Sequence, residues 1–299
     1  MPSRQEALKG VAMISLAGIL WGAMGTGVQY LFSRGGFTPV SLVEMRLLAA
    51  GLILVAVSTV LKPRAVWGVW KHPRDAAAIA VSGLLIFASH ETFFEAIYWS
   101  NAGTAAIFLA VEPLLAGVWL SITAGRKMPL VEIFCFVIAT AGVALIVTDG
   151  NLGVLKISPL ALLWGMASAA LGTAYAIQPR AVISRTGVLP VVSWGMVWGG
   201  AAATLFSQPW NAPVAWTPGT AAVFLFIVLF GTIAAFSLYL AGIRHVSAVI
   251  AGLVNCLEPL SAFLFSAVIL GDLMGGWQAL GVFLVLLNVV LVAVSRRRV

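Results

Sequence analysis

Two glutamates followed directly by proline lie inside long apolar segments: Glu112-Pro113 within residues 102–123, and Glu258-Pro259 within residues 247–270. An ionised carboxylate near the centre of a bilayer is costly, and proline removes a backbone hydrogen bond from the preceding turn. A helix that only anchors a chain needs neither residue. We therefore predict that Glu112 and Glu258 bind a proton or a cationic group, and that both prolines kink their helices and take part in gating.

The two Glu-Pro segments are copies of one unit. The register that superposes them also matches Ala105 with Ala251, and Gly125 with Gly271. Earlier in each half, residues 20–22 and residues 163–165 share the sequence Leu-Trp-Gly. We therefore divide the chain into a first repeat, residues 1–150, and a second repeat, residues 151–299.

A further set of candidates lies in the third apolar segment, where His90, Glu91 and Phe94 belong to one stripe at helical spacing. Two ionisable groups facing lipid would be costly, so His90 and Glu91 should face protein or water. One interpretation is that they line a substrate cavity. The alternative is a structural pair that holds helices together through a hydrogen bond.

Other candidates flank these groups. Trp164, Gly172 and Tyr175 fall on one face of the sixth segment, where Gly172 leaves space beside the tyrosine hydroxyl, and Asn255 adds an amide to the turn that contains Glu258. Aromatic stripes in membrane helices also arise from packing alone. We include Trp164, Tyr175 and Asn255 among the predicted substrate-binding residues.

The sequence lacks the motifs of several enzyme classes. The sequence His-Glu-Thr-Phe-Phe at residues 90–94 has Phe94 where a zinc protease needs its second histidine. The chain contains neither a G-x-S-x-G nucleophile elbow nor a phosphate-binding G-x-x-x-x-G-K-[ST] loop, and its aspartates fall in loops or at segment ends. We expect no catalytic residue, no metal site and no enzyme activity.

The composition is that of an integral membrane protein: 61% of the residues are hydrophobic and 9% are charged, and the mean hydropathy is +1.05. A soluble domain is about a quarter charged. Apolar runs long enough to cross about 30 Å of hydrocarbon as helices occupy the whole chain. We predict an all-α protein without a soluble domain and with ten transmembrane helices, at residues 7–31, 38–61, 76–98, 102–123, 129–148, 158–181, 189–208, 218–242, 247–270 and 276–295.

The charged residues predict the orientation. Fourteen of the 17 basic residues lie at the termini or in loops on one side of the predicted membrane, and the opposite side holds only Arg34 and Lys156. By the positive-inside rule both termini are cytoplasmic, and the net charge of +7 requires no nucleic-acid partner. Because each repeat has an odd number of spans, the second repeat is inverted, which favours a central cavity at the repeat interface.

Two five-span halves, each with Glu-Pro in its fourth span, resemble the drug/metabolite transporter superfamily and its EamA-type branch. Residues 87–91 and the turn from Asn255 to Pro259 look most like bacterial aromatic amino-acid exporters. The resemblance implies an inner-membrane exporter that works by alternating access without a cofactor. It leaves the oligomeric state open, a monomer included.

Charge also bears on the expected substrate. Apart from Arg46 near a span end, the predicted spans hold only Lys9 and Arg180, each within three residues of a span end. Phosphorylated substrates need Lys or Arg. A zwitterion with an apolar side group fits better, with its ammonium on the glutamates and its carboxylate at the helix ends freed by proline. The alternatives are efflux of lipophilic cations in exchange for protons, and a scaffold without transport, for which the loops are short.

The topology is testable with single cysteines. A cysteine at position 3 or 295, replacing Ser3 or Ser295, should be protected from an impermeant thiol reagent added to intact cells, and one replacing Asn211 should react. Permeabilised cells provide the control, because all three positions should then be labelled. Labelling of both termini from outside intact cells would contradict the predicted orientation.

Overall fold

The computed structural model describes residues 4–123, 130–151, 157–207, 214–246, 251, 254 and 257–295; Ser3, Asn211 and Asn255 lie outside these ranges. The described residues form helices joined by turns and short loops, without a strand among them. The α-helices are α1 (Arg4–Arg34), α2 (Pro39–Leu61), α3 (Pro63–Gly68), α4 (Pro73–Trp99), α5 (Ala102–Leu109), α6 (Glu112–Thr123), α7 (Leu130–Thr148), α8 (Pro159–Ile177), α9 (Arg180–Thr186), α10 (Val188–Ser207), α11 (Pro218–Phe226), α12 (Ala235–Gly242), α13 (Leu257–Phe265) and α14 (Gly276–Ser295). A 3₁₀ turn follows α3 at Val69–Lys71, and π-helical segments follow α11 at Ile227–Ala234 and α13 at Ser266–Leu270.

The helices account for the ten predicted spans. Among the described residues, seven helices are long and apolar enough to cross a membrane, and three shorter apolar helices lie at Val137–Ile146, Leu257–Leu270 and Gly276–Leu287. The all-α, ten-helix membrane fold is therefore confirmed. The sixth span ends at Ile177, earlier than predicted, and Pro179 separates it from the short helix α9.

Packing between the repeats follows a pseudo-twofold pattern. Helix α1, the first of its repeat, packs against α13 and against the segment from α11 to α12, which belong to the other repeat. Helix α8, the first of the second repeat, packs in the same way against α4, α5 and α6. Two further pairs, α2 with α10 and α7 with α14, join equivalent helices of the two repeats. This arrangement is that of two inverted repeats around a shared centre.

Four helices that begin on the side opposite the termini have neutral side-chain caps. Thr38 and Thr217 form capping boxes with Ser41 and Thr220, respectively. Asn101 accepts from the backbone N–H of Thr104 at 2.8 Å, and Ser158 caps α8 through the N–H of Leu160. Three of these helices, α2, α8 and α11, also begin with proline, which has no N–H to satisfy. The helix ends on this side are thus satisfied without charged side chains.

The fourth span is broken where the sequence places Glu-Pro. Helix α5 ends at Leu109 and α6 begins at Glu112, and the N–H of Val111 bonds back to Phe108 O at 3.0 Å. The break therefore falls just before Pro113, as expected for a residue that cannot donate a backbone hydrogen bond. The side chain of Pro113 lies outside the described part of the structure.

Helices α1 and α13 approach so closely that a side chain would not fit between them at Gly22. A Cβ there would lie 2.6 Å from Ala262 N and 2.8 Å from Glu258 O. Such an approach is typical of membrane helix pairs with small residues at their interface. This contact fixes the start of α13, and with it Glu258, against the first helix of the other repeat.

We predict that Gly22→Ala lowers the unfolding temperature of the protein in detergent, because overpacking at a rigid contact costs about 1–3 kcal/mol. Gly276→Ala is the matched control, since a Cβ at Gly276 would meet nothing within 4 Å. Thermal unfolding of the two variants checks the prediction. Equal unfolding temperatures would show that α1 and α13 are not in close contact.

Candidate functional site

A cavity of about 410 Å³ lies at the centre of the bundle, between helices of both repeats. Small-molecule sites commonly occupy about 300–1,000 Å³. Its wall is apolar over most of its area and includes side chains of α1, α2, α4, α5, α6, α8, α12, α13 and α14. A cavity of this size enclosed by both repeats is the candidate substrate site.

The Glu-Pro pairs meet at this cavity. Glu112 and Glu258 both line it, one from each repeat, and Pro259 lies beside Glu258 in the wall. Gly172 of α8 provides the space for one of them, because a Cβ at Gly172 would collide with the Glu112 carboxylate and lie 3.4 Å from Ser89 Oγ. Two of the predicted carboxylates thus face the same cavity, whereas the predicted neighbour Asn255 lies outside the described residues.

His90 and Glu91, the two ionisable residues predicted to line a cavity from the third span, lie in different surroundings. His90 lines the cavity, but Glu91 is not part of its wall. Glu91 Oε2 is buried and has no hydrogen-bond partner among the described residues. The hypothesis that both side chains line one cavity is therefore supported for His90 and not for Glu91.

The cavity wall also contains Arg46, which sequence reasoning placed near a span end and set aside. Arg46 is 0% exposed. Its Nη2 lies 2.5 Å from His90 Nδ1, its Nη1 lies 3.6 Å from Met24 Sδ, and its guanidinium carbon lies 4.9 Å above the ring centre of Phe94. A lone arginine inside an apolar span is itself a sign of a functional site, and that signal was available in the sequence.

Glu44, two positions before Arg46, does not neutralise it. Its side chain is buried and accepts a hydrogen bond from Ser207 of α10. Residues two positions apart on a helix point in different directions, which explains why these opposite charges do not pair.

The aromatic residues differ from the prediction in three positions. Tyr175 lines the cavity as expected, but Phe94 is fully buried beneath Arg46 rather than in the wall. Trp164 packs against the hydrophobic core, and its repeat counterpart Trp21 lines the cavity instead. The ring of Trp21 lies 5.3 Å from those of both Phe236 and Tyr239, which also form part of the wall. The Leu-Trp-Gly repeat could have identified Trp21 as an equal candidate.

A hydrogen-bonded cluster joins helices of the bundle on the side opposite the termini. Gln29 of α1 donates to Asp272 at 2.7 Å and accepts from the backbone N–H of Ala102, the first residue of α5, at 2.8 Å. Ser266 donates to the same Asp272 oxygen at 2.6 Å. We call these residues the Gln29 cluster. It joins the first, fourth and ninth spans, which all contribute to the cavity wall.

No group of three or more potential metal ligands occurs among the described residues. The arrangement is a cavity with both apolar and ionisable side chains in its wall, between inverted helical repeats. Together with the ten-helix fold it defines the class of membrane transporters with inverted repeats.

Comparison with known proteins identifies the family. The model of the EamA-like transporter family matches residues 8–148 and again residues 159–294. The chain therefore belongs to the EamA-like transporter family, and it contains two copies of the family unit.

Relatives extend over nearly the whole chain. An "Uncharacterized inner membrane transporter YicL" of Salmonella typhimurium is 31% identical over 291 residues, which cover 97% of each protein. An "Uncharacterized transporter YwfM" of Bacillus subtilis is 24% identical and covers 95% of this chain and 94% of its own. A solved crystal structure superposes with a TM-score of 0.66 over 99% of both chains at 17% identity, which supports the fold.

The different positions of His90 and Glu91 lead to a prediction. His90→Ala should slow transport about tenfold or more, because it removes a hydrogen bond to a charged group in the cavity wall. Glu91→Gln, which keeps the shape of a side chain outside the wall, should transport close to the unsubstituted rate. The measurement is the initial transport rate of each variant in proteoliposomes with equal amounts of folded protein. A slower rate for Glu91→Gln than for His90→Ala would place Glu91 on the transport path.

Proposed function

We propose that this protein exports amino acids with aromatic or other apolar side groups across the inner membrane, by alternating access to the central cavity. The observation that carries the proposal is the cavity lining, which combines carboxylates of both repeats with aromatic rings. The inner-membrane location is supported by the name of the Salmonella relative and by the apolar helices.

The carboxylates provide the binding site for the substrate ammonium in this proposal. Glu112 and Glu258 line one cavity, and an ionised carboxylate in an apolar setting gains from a cationic partner. The two roles are unequal. Glu112 shares its cavity with His90 of the same repeat and binds the substrate. Glu258 lies in the first turn of α13, directly before Pro259, and shapes the gate.

The aromatic residues provide the binding site for the apolar side group. Trp21, Tyr175, Phe236 and Tyr239 surround the cavity on the side of α1, α8 and α12. Aromatic rings offer a large apolar surface and, in tyrosine and tryptophan, a polar tip that tolerates water. An amino acid with an aromatic side chain fits both features. The cavity lies within a single chain, so a monomer suffices for this function.

Efflux of lipophilic cations in exchange for protons is the second candidate. The two carboxylates in an aromatic cavity favour it, because a carboxylate can release a proton when a cation binds and aromatic faces attract cations. The buried Arg46 in the same wall weighs against it, since a fixed cation repels a substrate that carries only positive charge. Counterflow of labelled amino acids in liposomes containing only this protein tests the two proposals directly.

Substitution of Glu112 and Glu258 distinguishes a role in substrate binding from a structural role. Glu112→Gln keeps the shape and most hydrogen bonding but removes the charge, so we expect the apparent affinity to fall about tenfold to a hundredfold, or about 1.5–3 kcal/mol. Glu258→Gln is the matched variant from the other repeat, and it should change the transport rate more than the affinity.

The measurement is the concentration and pH dependence of counterflow. If Glu112→Gln leaves both unaltered, the carboxylate only satisfies the backbone opened by Pro113. If Pro113→Ala and Pro259→Ala also leave the rate unchanged, the kinked helices have no part in gating.

A further inference from the structure

Arg46 is a buried cation for which the described part of the chain provides no anionic partner. Its exposed fraction is 0%, and no carboxylate of the described residues lies within ion-pairing distance of it. Its Nε is buried and has no hydrogen-bond partner in the part of the chain that the structure describes. A buried charge is costly unless it is paired, and a buried N–H without an acceptor adds to that cost.

The contacts that Arg46 does make hold it in place but do not neutralise it. A methionine sulfur is a weak acceptor, and the Phe94 ring attracts the guanidinium only through its quadrupole. His90 contributes a neutral acceptor. These contacts orient the guanidinium at the cavity wall and leave its charge available to a ligand.

The same contact determines what His90 presents to the cavity. Because an arginine only donates hydrogen bonds, His90 Nδ1 is the acceptor, and the proton of the neutral ring is on Nε2. No described residue accepts a hydrogen bond from that nitrogen. His90 is partly exposed and lines the cavity, so a second unpaired donor stands beside the arginine.

From this arrangement we propose that Arg46 and His90 form a carboxylate-binding subsite, distinct from the acidic groups of the cavity. The proposal rests on the proposed function and makes it specific: the substrate has a free carboxylate that faces α2 and α4, while its ammonium faces Glu112. A ligand carboxylate at this part of the wall balances the charge of the buried Arg46 guanidinium and accepts a hydrogen bond from His90 Nε2. A charge-assisted pair of this kind is strong. Amines, esters and amides that lack the carboxylate are then poor substrates.

The test uses three probes that share one ring: 3-phenylpropanoate carries only the carboxylate, phenethylamine only the ammonium, and phenylalanine both. Protection against thermal unfolding of the purified full-length protein in detergent reports binding of each. The variants are Arg46→Gln and Glu112→Gln. Arg64→Gln is the matched control, because Arg64 is an exposed arginine at the start of α3, outside the cavity wall.

We expect a double dissociation. Arg46→Gln should weaken binding of 3-phenylpropanoate and phenylalanine about tenfold to a hundredfold. Phenethylamine should bind at least as tightly as to the unsubstituted protein, because the variant removes a repelling charge. Glu112→Gln should weaken phenethylamine and phenylalanine and spare 3-phenylpropanoate. Arg64→Gln should bind all three probes as the unsubstituted protein does.

The outcomes separate this proposal from the proposed function. If phenylalanine is not transported but 3-phenylpropanoate binds in an Arg46-dependent manner, the carboxylate subsite stands and amino-acid export fails. If the unsubstituted protein does not bind 3-phenylpropanoate, or if Arg46→Gln binds it equally well, the subsite is overturned. If Arg46→Gln does not fold, His90→Leu tests the subsite instead, because it removes the second hydrogen-bond donor. Unchanged binding of 3-phenylpropanoate to His90→Leu would also overturn the proposal.

Discussion

A polar group inside this bundle is costly unless it finds a partner, because hydrocarbon offers no water to satisfy it. Most hydroxyl groups meet this constraint within their own helix: Thr92, Thr148 and Ser193 donate to backbone carbonyls one turn earlier. Ionisable groups have no such local solution. They are confined to the space between the helices, and the position of the cavity follows from where the two repeats bring those groups together.

The same constraint governs the broken helices. Each glutamate that precedes a proline has a backbone carbonyl that accepts a hydroxyl hydrogen bond: Thr173 of α8 donates to Glu112 O at 3.3 Å, and Ser261 donates to Glu258 O at 3.0 Å. Ser261 also contacts Gly18 O of α1 at 3.2 Å. Side chains at the interface between the repeats therefore support the irregular backbone that places the two carboxylates in the cavity.

Much of this arrangement could be predicted from the sequence, since its main signals are local. Long apolar runs predicted the ten helices, and Pro113 predicted the break, because a helix of apolar residues and a missing N–H have direct consequences for the backbone. Glu112, His90 and Tyr175 could be placed in the cavity because intramembrane polar groups avoid lipid.

The remaining positions depend on contacts between distant segments. Whether Trp21 or Trp164 lines the cavity is decided by which neighbours surround each ring, and the Leu-Trp-Gly sequence is the same in both repeats. Likewise, nothing near Arg46 in the sequence indicates that His90, on another helix, lies within hydrogen-bonding distance. The helix that packs beside a residue decides whether its side chain reaches the cavity. The spacing of residues along one helix does not contain that information.

The Gln29 cluster depends on a side chain that the two repeats do not share. In the register that aligns the two Leu-Trp-Gly sequences, Gln29 corresponds to Gly172, which has no side chain to form an equivalent cluster. Separating the first, fourth and ninth spans on this side breaks the hydrogen bonds of Gln29 to Asp272 and Ala102, each worth on the order of 1 kcal/mol, whereas Gly172 has no side chain to form such bonds. The repeats share a fold, but at this position only the first repeat has a side chain that can join its neighbours, so structural symmetry between the halves does not make them energetically equivalent.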